Sequence, residues 1–278
     1  METIINGFKT NRAFAVTSVL VLCLLLIAIA APVIAPYDPT HAAMKDAFLE
    51  PGAQHLFGTD KLGRDCLSRV LYGARASLTG VLVLVASVFV VGTTLGVVSG
   101  YFGGKVDMVI MRISDMMISF PGMILAIAIA GIMGGSLVNA VFALTIVSWT
   151  KYARLARSMV LKVKRRDFVE AAIVNGGTAS HILWTHILPN ILPMMVITAA
   201  ADIGALMMEL AGLSFLGFGS QPPAPEWGLM LNEGRQQLQT APWLMFFPGL
   251  AIFVTVVIFN LWGDNLRDVL DPRGDVED

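Results

Sequence analysis

Two carboxylates, Asp202 and Glu209, interrupt an otherwise apolar run. Seven residues apart, they fall on nearly the same face of a helix. A charge inside a bilayer is costly unless it meets a bundle interior, a partner or water. Both are therefore expected to look inward, lining a polar path, meeting another subunit or making structural hydrogen bonds, although a glutamate near a span end can also snorkel. The same pair could act as a proton or cation relay. Other reactive groups are sparse. His181 and His186 are five residues apart, about 140° around an α-helix, and do not form the paired ligand face of an i, i+4 metal motif. No G-x-S-x-G elbow or H-E-x-x-H helix is present. Gly103-Gly104-Lys105 lacks the spacing and the following Ser or Thr of a phosphate loop. The sequence thus predicts no catalytic residue, no metal site and no cofactor of its own, and any ATP hydrolysis that drives it, with its Mg²⁺, belongs to partner chains.

The elements that must position these groups are membrane helices. Hydrophobic residues make up 56% and charged residues 14% of the 278, and mean hydropathy is +0.72. That composition points to an all-α, multi-pass protein of the lipid bilayer. The net charge of −1 offers no basic field for nucleic acid. Cys23 lies in an apolar segment and Cys66 in a polar one, so no disulfide is expected.

A spanning helix needs about 20 apolar residues, and six spans are expected on that basis. They cover about 13–35, 77–100, a hairpin made by the Gly134-Gly135-Ser136 break within 116–150, about 187–216 and about 242–263. The first could be a signal peptide, since Lys9 and Arg12 precede it and Ala28-Ile29-Ala30 resembles a cleavage site. Its apolar run continues to Ala35, however, which favours an uncleaved anchor. With the N-terminus inside, thirteen Lys and Arg fall on cytoplasmic segments and six outside. Seven of the thirteen, Lys151, Arg154, Arg157, Lys162, Lys164, Arg165 and Arg166, form the connection between spans four and five. Both termini are accordingly placed in the cytoplasm.

That connection continues into the polar stretch from Glu170 to Asn190. Ala171 and Ala172 with Phe168 and Ile173 give a compact apolar face, Gly176 and Gly177 permit a reversal, and Thr178 or Ser180 can cap a second short helix. Pro189 marks a break before the next apolar run. Glu170, Ala171, Ala172, Gly176, Ile182, His186, Leu188, Pro189 and Asn190 together resemble the coupling-loop signature of the membrane subunits of bacterial ATP-binding-cassette importers. The resemblance implies a cytoplasmic coupling helix between spans four and five, through which ATPase subunits drive the chain.

A second likeness is narrower. The segment Phe57-Gly58-Thr59-Asp60-Lys61-Leu62-Gly63-Arg64-Asp65 resembles the second permease of dipeptide, oligopeptide and nickel importers. So do Leu213 to Gly219, Pro222-Pro223, Glu226-Trp227-Gly228 and the ending Gly263-Asp264 to Asp271-Pro272. Asp60 and Asp65, read by themselves, belong to a charged structural loop. The likeness implies an N-terminal anchor and extracytoplasmic loop over 1–76 and a permease domain over 77–278. It also implies a homologous second permease subunit, two ATP-binding subunits, an extracytoplasmic solute-binding protein and a bacterial cytoplasmic (inner) membrane. Di- or oligopeptides are the expected cargo, with nickel or a metal chelate as the alternative. A secondary transporter using Asp202 and Glu209 as a relay is the rival from another class, disfavoured by the lack of a detectable inverted repeat. A non-transporting scaffold is a third reading.

Overall fold

The computed structural model describes residues 11–270. Lys9, Arg273 and Asp271-Pro272, used in the orientation and resemblance above, lie outside them. Apart from one antiparallel bridge between Thr59 and Asp65, the described residues form helices and loops. Helix α1 (Arg12–Ile34) starts at Asn11, whose side chain accepts from the Phe14 amide. It is apolar all round, so the sequence could not say which face turns inward. Phe14, Thr17, Val21, Ala28 and Ala31 do so, at steps of three, four, seven and three residues that keep to one face.

Helix α2 (Cys66–Phe102) begins eleven residues before the expected Ser77. Asp65 caps it by accepting from the Ser68 amide at 2.8 Å. Its 37 residues span about 55 Å, well beyond a hydrocarbon core of about 30 Å. Gly92, Gly96 and Gly100 pack α2 on α5 (Leu137–Val163), as expected of a groove of small residues. A Cβ at Gly96 would collide with the Ala153 carbonyl oxygen and come within 2.7 Å of the Ala156 Cβ. No side chain larger than hydrogen fits this crossing without moving α5.

Between α2 and α5 run α3 (Gly104–Ile118) and α4 (Gly122–Met133), bent 93° from one another. The break expected at Gly134-Gly135-Ser136 is present. Gly134 takes a positive φ of 85° after α4, and Ser136 caps α5 by accepting from the Asn139 amide at 3.0 Å. Two short helices, α6 (Asp167–Val174) and α7 (Ala179–Ile182), follow α5. A five-residue π turn, Leu183–Ile187, then leads into α8 (Leu188–Phe215). Beyond a loop come α9 (Trp227–Gly234) and α10 (Trp243–Leu270).

By length and composition, α1, α2, the continuous Ala179–Phe215 stretch and α10 can each cross a membrane, and the count rises to five only if the bent α3–α4 pair is taken as one span. Helix α5 is long enough at 27 residues but is diluted by Asn139, Lys151, Arg154 and Arg157. The six expected spans are therefore matched on these criteria by four or five among the described residues.

Two expectations need correction. The basic connection between spans four and five is not a loop at its start, because Lys151, Arg154, Arg157 and Lys162 lie on α5. The helix continues past its uncharged part because carboxylates on α3 neutralise its cations. Asp107 accepts from Arg157 at 2.5 and 2.6 Å, and Asp115 accepts from Arg154 at 2.6 Å. Nor does Pro189 break the chain. It occupies the first turn of α8, where a missing N–H is tolerated.

Candidate functional site: the α6–α7 hairpin and its two arms

The stretch from Asp167 to Ile187 folds as a helix, a glycine turn and a second helix. Arg166 precedes α6, whose first turn carries Asp167 and Glu170, a favourable placement of negative charge against the helix dipole. The reversal rests on Gly176 at φ +79°, with no atom within 4 Å of where a Cβ would stand. Its constraint is therefore conformational rather than steric. The Gly177 amide donates to the Ala172 carbonyl at 3.0 Å, and Thr178 caps α7 by accepting from the His181 amide at 3.3 Å.

The apolar face differs from the expected one. Val169, Ile182 and Ile187 are buried and Ala172 is half-buried, and together they join the main core. Phe168, Ala171 and Ile173 point outward instead. One helical step separates the two sets: α6 packs against α7 and the π turn that follows it, with Val169 and Ala172 on the packed side, so the neighbouring positions are left on the far side. Glu170 and Ala171 are exposed, and so are Val174 at 86% and Trp184 at 71%. This end of the molecule thus presents a fixed apolar knob edged by a carboxylate.

The π turn also changes the histidine geometry. The Leu188 amide donates to the Leu183 carbonyl, five residues back, and this wider winding brings the His181 and His186 rings to 5.8 Å between centroids, edge to face. The 140° separation assumed α-helical winding and does not hold. His186 is half-buried, with Phe168 6.1 Å away on its other side, so it joins α6 to the base of α8. Asn190 Nδ2 donates to the His186 carbonyl across the same turn at 2.6 Å. No group of three or more metal-ligating side chains occurs among the described residues.

Two arms support the hairpin. Lys151 on α5 donates to both carboxylate oxygens of Asp202 on α8 at 2.7 Å. Asp202 is partly buried and Lys151 largely exposed. Glu209, two turns along on the same face, is partly buried and has no hydrogen bond or ion pair among the described residues. Lys151 was missed as the partner of Asp202, although a signal existed. It lies about 18 Å along α5 from Val163, and Asp202 about 21 Å along α8 from Leu188, so antiparallel arms place them at similar depth.

At the opposite end lies a buried ionic quartet that no local pattern of residues announced. Arg64 donates to Asp60 at 2.6 Å and to Glu233 at 3.1 Å. Arg69 donates to the other Glu233 oxygen at 2.6 Å and lies 3.7 Å from Asp60. Both arginines are 1% exposed, and the two carboxylates balance them. Asp65 accepts from the Ser68 hydroxyl at 2.7 Å and lies 2.9 Å from His55 Nδ1. Asp60 and Asp65 are thus structural, and they fasten the 57–65 segment to α2 and α9.

Family comparison matches residues 92–275 to the binding-protein-dependent transport system inner membrane component. The chain belongs to this family. Residues 3–51 also match the N-terminal TM domain of oligopeptide transport permease C. Similar curated proteins include the dipeptide transport system permease protein DppC of Alkalihalophilus pseudofirmus, 42% identical over 95% of this chain and 87% of that one. The nickel transport system permease protein NikC of Escherichia coli K12 is 39% identical over 96% and 97%. The glutathione transport system permease protein GsiD of Pectobacterium atrosepticum is 43% identical over 96% and 89%. An inward-facing MetNI methionine ABC transporter has the same fold, with a TM-score of 0.59 at 22% identity over 72% of this chain and 96% of that one. The protein is thus an integral membrane permease subunit of an ABC importer in the peptide, nickel and glutathione group, and ATP hydrolysis in such importers resides on separate subunits.

Proposed function

We propose that this permease imports di- or oligopeptides across the bacterial cytoplasmic membrane by alternating access, paired with a homologous permease and driven by two ATP-binding subunits. An extracytoplasmic solute-binding protein delivers the cargo. The observation that carries the reading is the α6–α7 hairpin, whose fixed apolar knob is braced between α5 and α8. Closure of the ATPase subunits around ATP presses on that knob, and Glu170, Ala171, Ala172, Gly176, Ile182 and His186 pass the displacement to both arms. Hydrolysis reverses it. In this reading ATP and Mg²⁺ sit on the partners, the hairpin and both termini face the cytoplasm, and Asp202 and Glu209 line the path or its subunit seam.

The dipeptide and glutathione relatives favour peptides. Nickel or a nickel chelate is the second reading, supported by the nickel permease relative. In vesicles holding the complete complex, peptide uptake requires internal ATP and survives collapse of the proton gradient. Loss of uptake to an uncoupler while ATP stays high would replace this mechanism with a carboxylate relay through Asp202 and Glu209. Uptake of nickel but not peptide would transfer the cargo assignment to the metal.

A further inference from the structure

The outward face of α3 carries a pattern that the hairpin does not use. Helix α3 is bent 93° from α4, so with α4 along the membrane normal it lies close to the membrane plane. Its polar groups on the α5 side are committed to protein partners. Asp107 pairs with Arg157 and accepts from Ser99 at 2.5 Å, while Ser114 and Asp115 hold Arg154. On the opposite side Val106, Val109, Ile113 and Met116 recur at three- and four-residue steps, each between 42% and 60% exposed. Lys105 and Arg112 edge that stripe. They are seven residues apart, hence on one face and about 10 Å apart along the axis. Both are exposed, and neither has an ion pair or hydrogen bond among the described residues.

Asp107 is turned inward and the exposed Asp115 is paired with Arg154, so the acids of α3 are spent on α5 and the edge formed by Lys105 and Arg112 is left cationic beside an apolar stripe. We propose that α3 is an interfacial helix that binds anionic phospholipid headgroups of the cytoplasmic leaflet through Lys105 and Arg112, with the apolar stripe in the acyl boundary. Only the side of the membrane rests on the proposed function. Helix α3 lies at the hairpin end of the bundle, because Lys164 donates to the Tyr101 carbonyl at 2.6 Å and Arg157 binds Asp107. Since α3 also holds Arg154 and Arg157, lipid anchorage there steadies the end of α5 from which the hairpin departs.

The test uses the complete complex in nanodiscs of phosphatidylcholine mixed with phosphatidylglycerol, with retained lipid counted by native mass spectrometry. Wild type is expected to retain phosphatidylglycerol preferentially. Each basic residue near an anionic surface is worth about fivefold, so Lys105→Gln with Arg112→Gln lowers the preference by about 25-fold. Lys45→Gln, at an exposed site in the loop before α2, leaves it unchanged. No preference in wild type, or an undiminished one in the double variant, overturns the proposal. If the double variant does not assemble, a spin label at Val109→Cys in a Cys23→Ser background reads the depth of the native cationic edge. Greater access to dissolved oxygen than to a polar nickel chelate, as in the acyl boundary, supports lipid contact, and greater access to the chelate, as in water, overturns it. A label shielded only when the ATPase subunits or second permease are added assigns the face to protein and overturns it. Failure of ATP-driven uptake would remove the functional reading without altering lipid retention, so the two can fail separately.

Discussion

Lys151 and Asp202 join the two helices that flank the coupling hairpin, with the ammonium 2.7 Å from each carboxylate oxygen. The contact closes a frame of α5, hairpin and α8. A push on the hairpin must then move both arms together or separate this pair. Because Lys151 is largely exposed, its effect on stability is small, about 0–1 kcal/mol. Its effect on transport is predicted to be larger. Lys151→Gln and Asp202→Asn each reduce ATP-driven uptake, and the double variant is no worse than either single one. Additive losses in a double-mutant cycle would show that the two residues act separately.

Gly176 provides a prediction that separates conformation from space. Its positive φ costs an ordinary side chain about 1–2 kcal/mol, yet a Cβ there meets nothing. Gly176→Val should insert normally while weakening ATPase association and stopping uptake. Gly176→Asn, which tolerates the left-handed region, should stay close to wild type. Co-purification of the ATPase subunits measures the first effect, and full transport by a stably inserted valine variant removes the coupling assignment.

The buried quartet sets a stability prediction. Glu233→Gln leaves Arg64 and Arg69 buried with Asp60 as their remaining carboxylate, a loss expected to cost about 3–5 kcal/mol. Thermal unfolding of the purified complex should show a clear drop. Glu50→Gln, at an exposed acid, should show none.

The α2–α5 crossing is tighter still. Gly96→Leu forces the side chain against the Ala153 carbonyl and Ala156, an overpacking cost of about 1–3 kcal/mol or more. The yield of folded permease should fall, and Gly96→Ala should lie between the two.

Glu209 tests the path itself. A cysteine there, with Cys23 and Cys66 replaced, should react with a small polar thiol reagent in at least one of the nucleotide-free and ATP-trapped states. Glu209→Gln should alter transport more than Glu50→Gln does. An inert cysteine in both states and normal transport by the glutamine variant leave Glu209 a structural role.

The sequence by itself determined the helical class, the break at Gly134-Gly135-Ser136, the helix–turn–helix after Asp167 and the close-packed stripe of Gly92, Gly96 and Gly100. These are local properties: apolar length, a positive-φ glycine, a capping hydroxyl and a four-residue period. Tertiary structure decided the rest. Charge alone marked Lys151 as a loop cation, but it lies within α5, where Asp202, far along the chain, pairs with it. Phe168 and Ile173 were assigned to the packed face by composition, whereas packing of α6 against α7 and the π turn selects Val169 and Ala172. The His181–His186 approach needed the π turn, which no residue type announces. The quartet required Glu233, 169 residues from Arg64, and a partner at that separation is fixed only when α9 folds back against the start of α2.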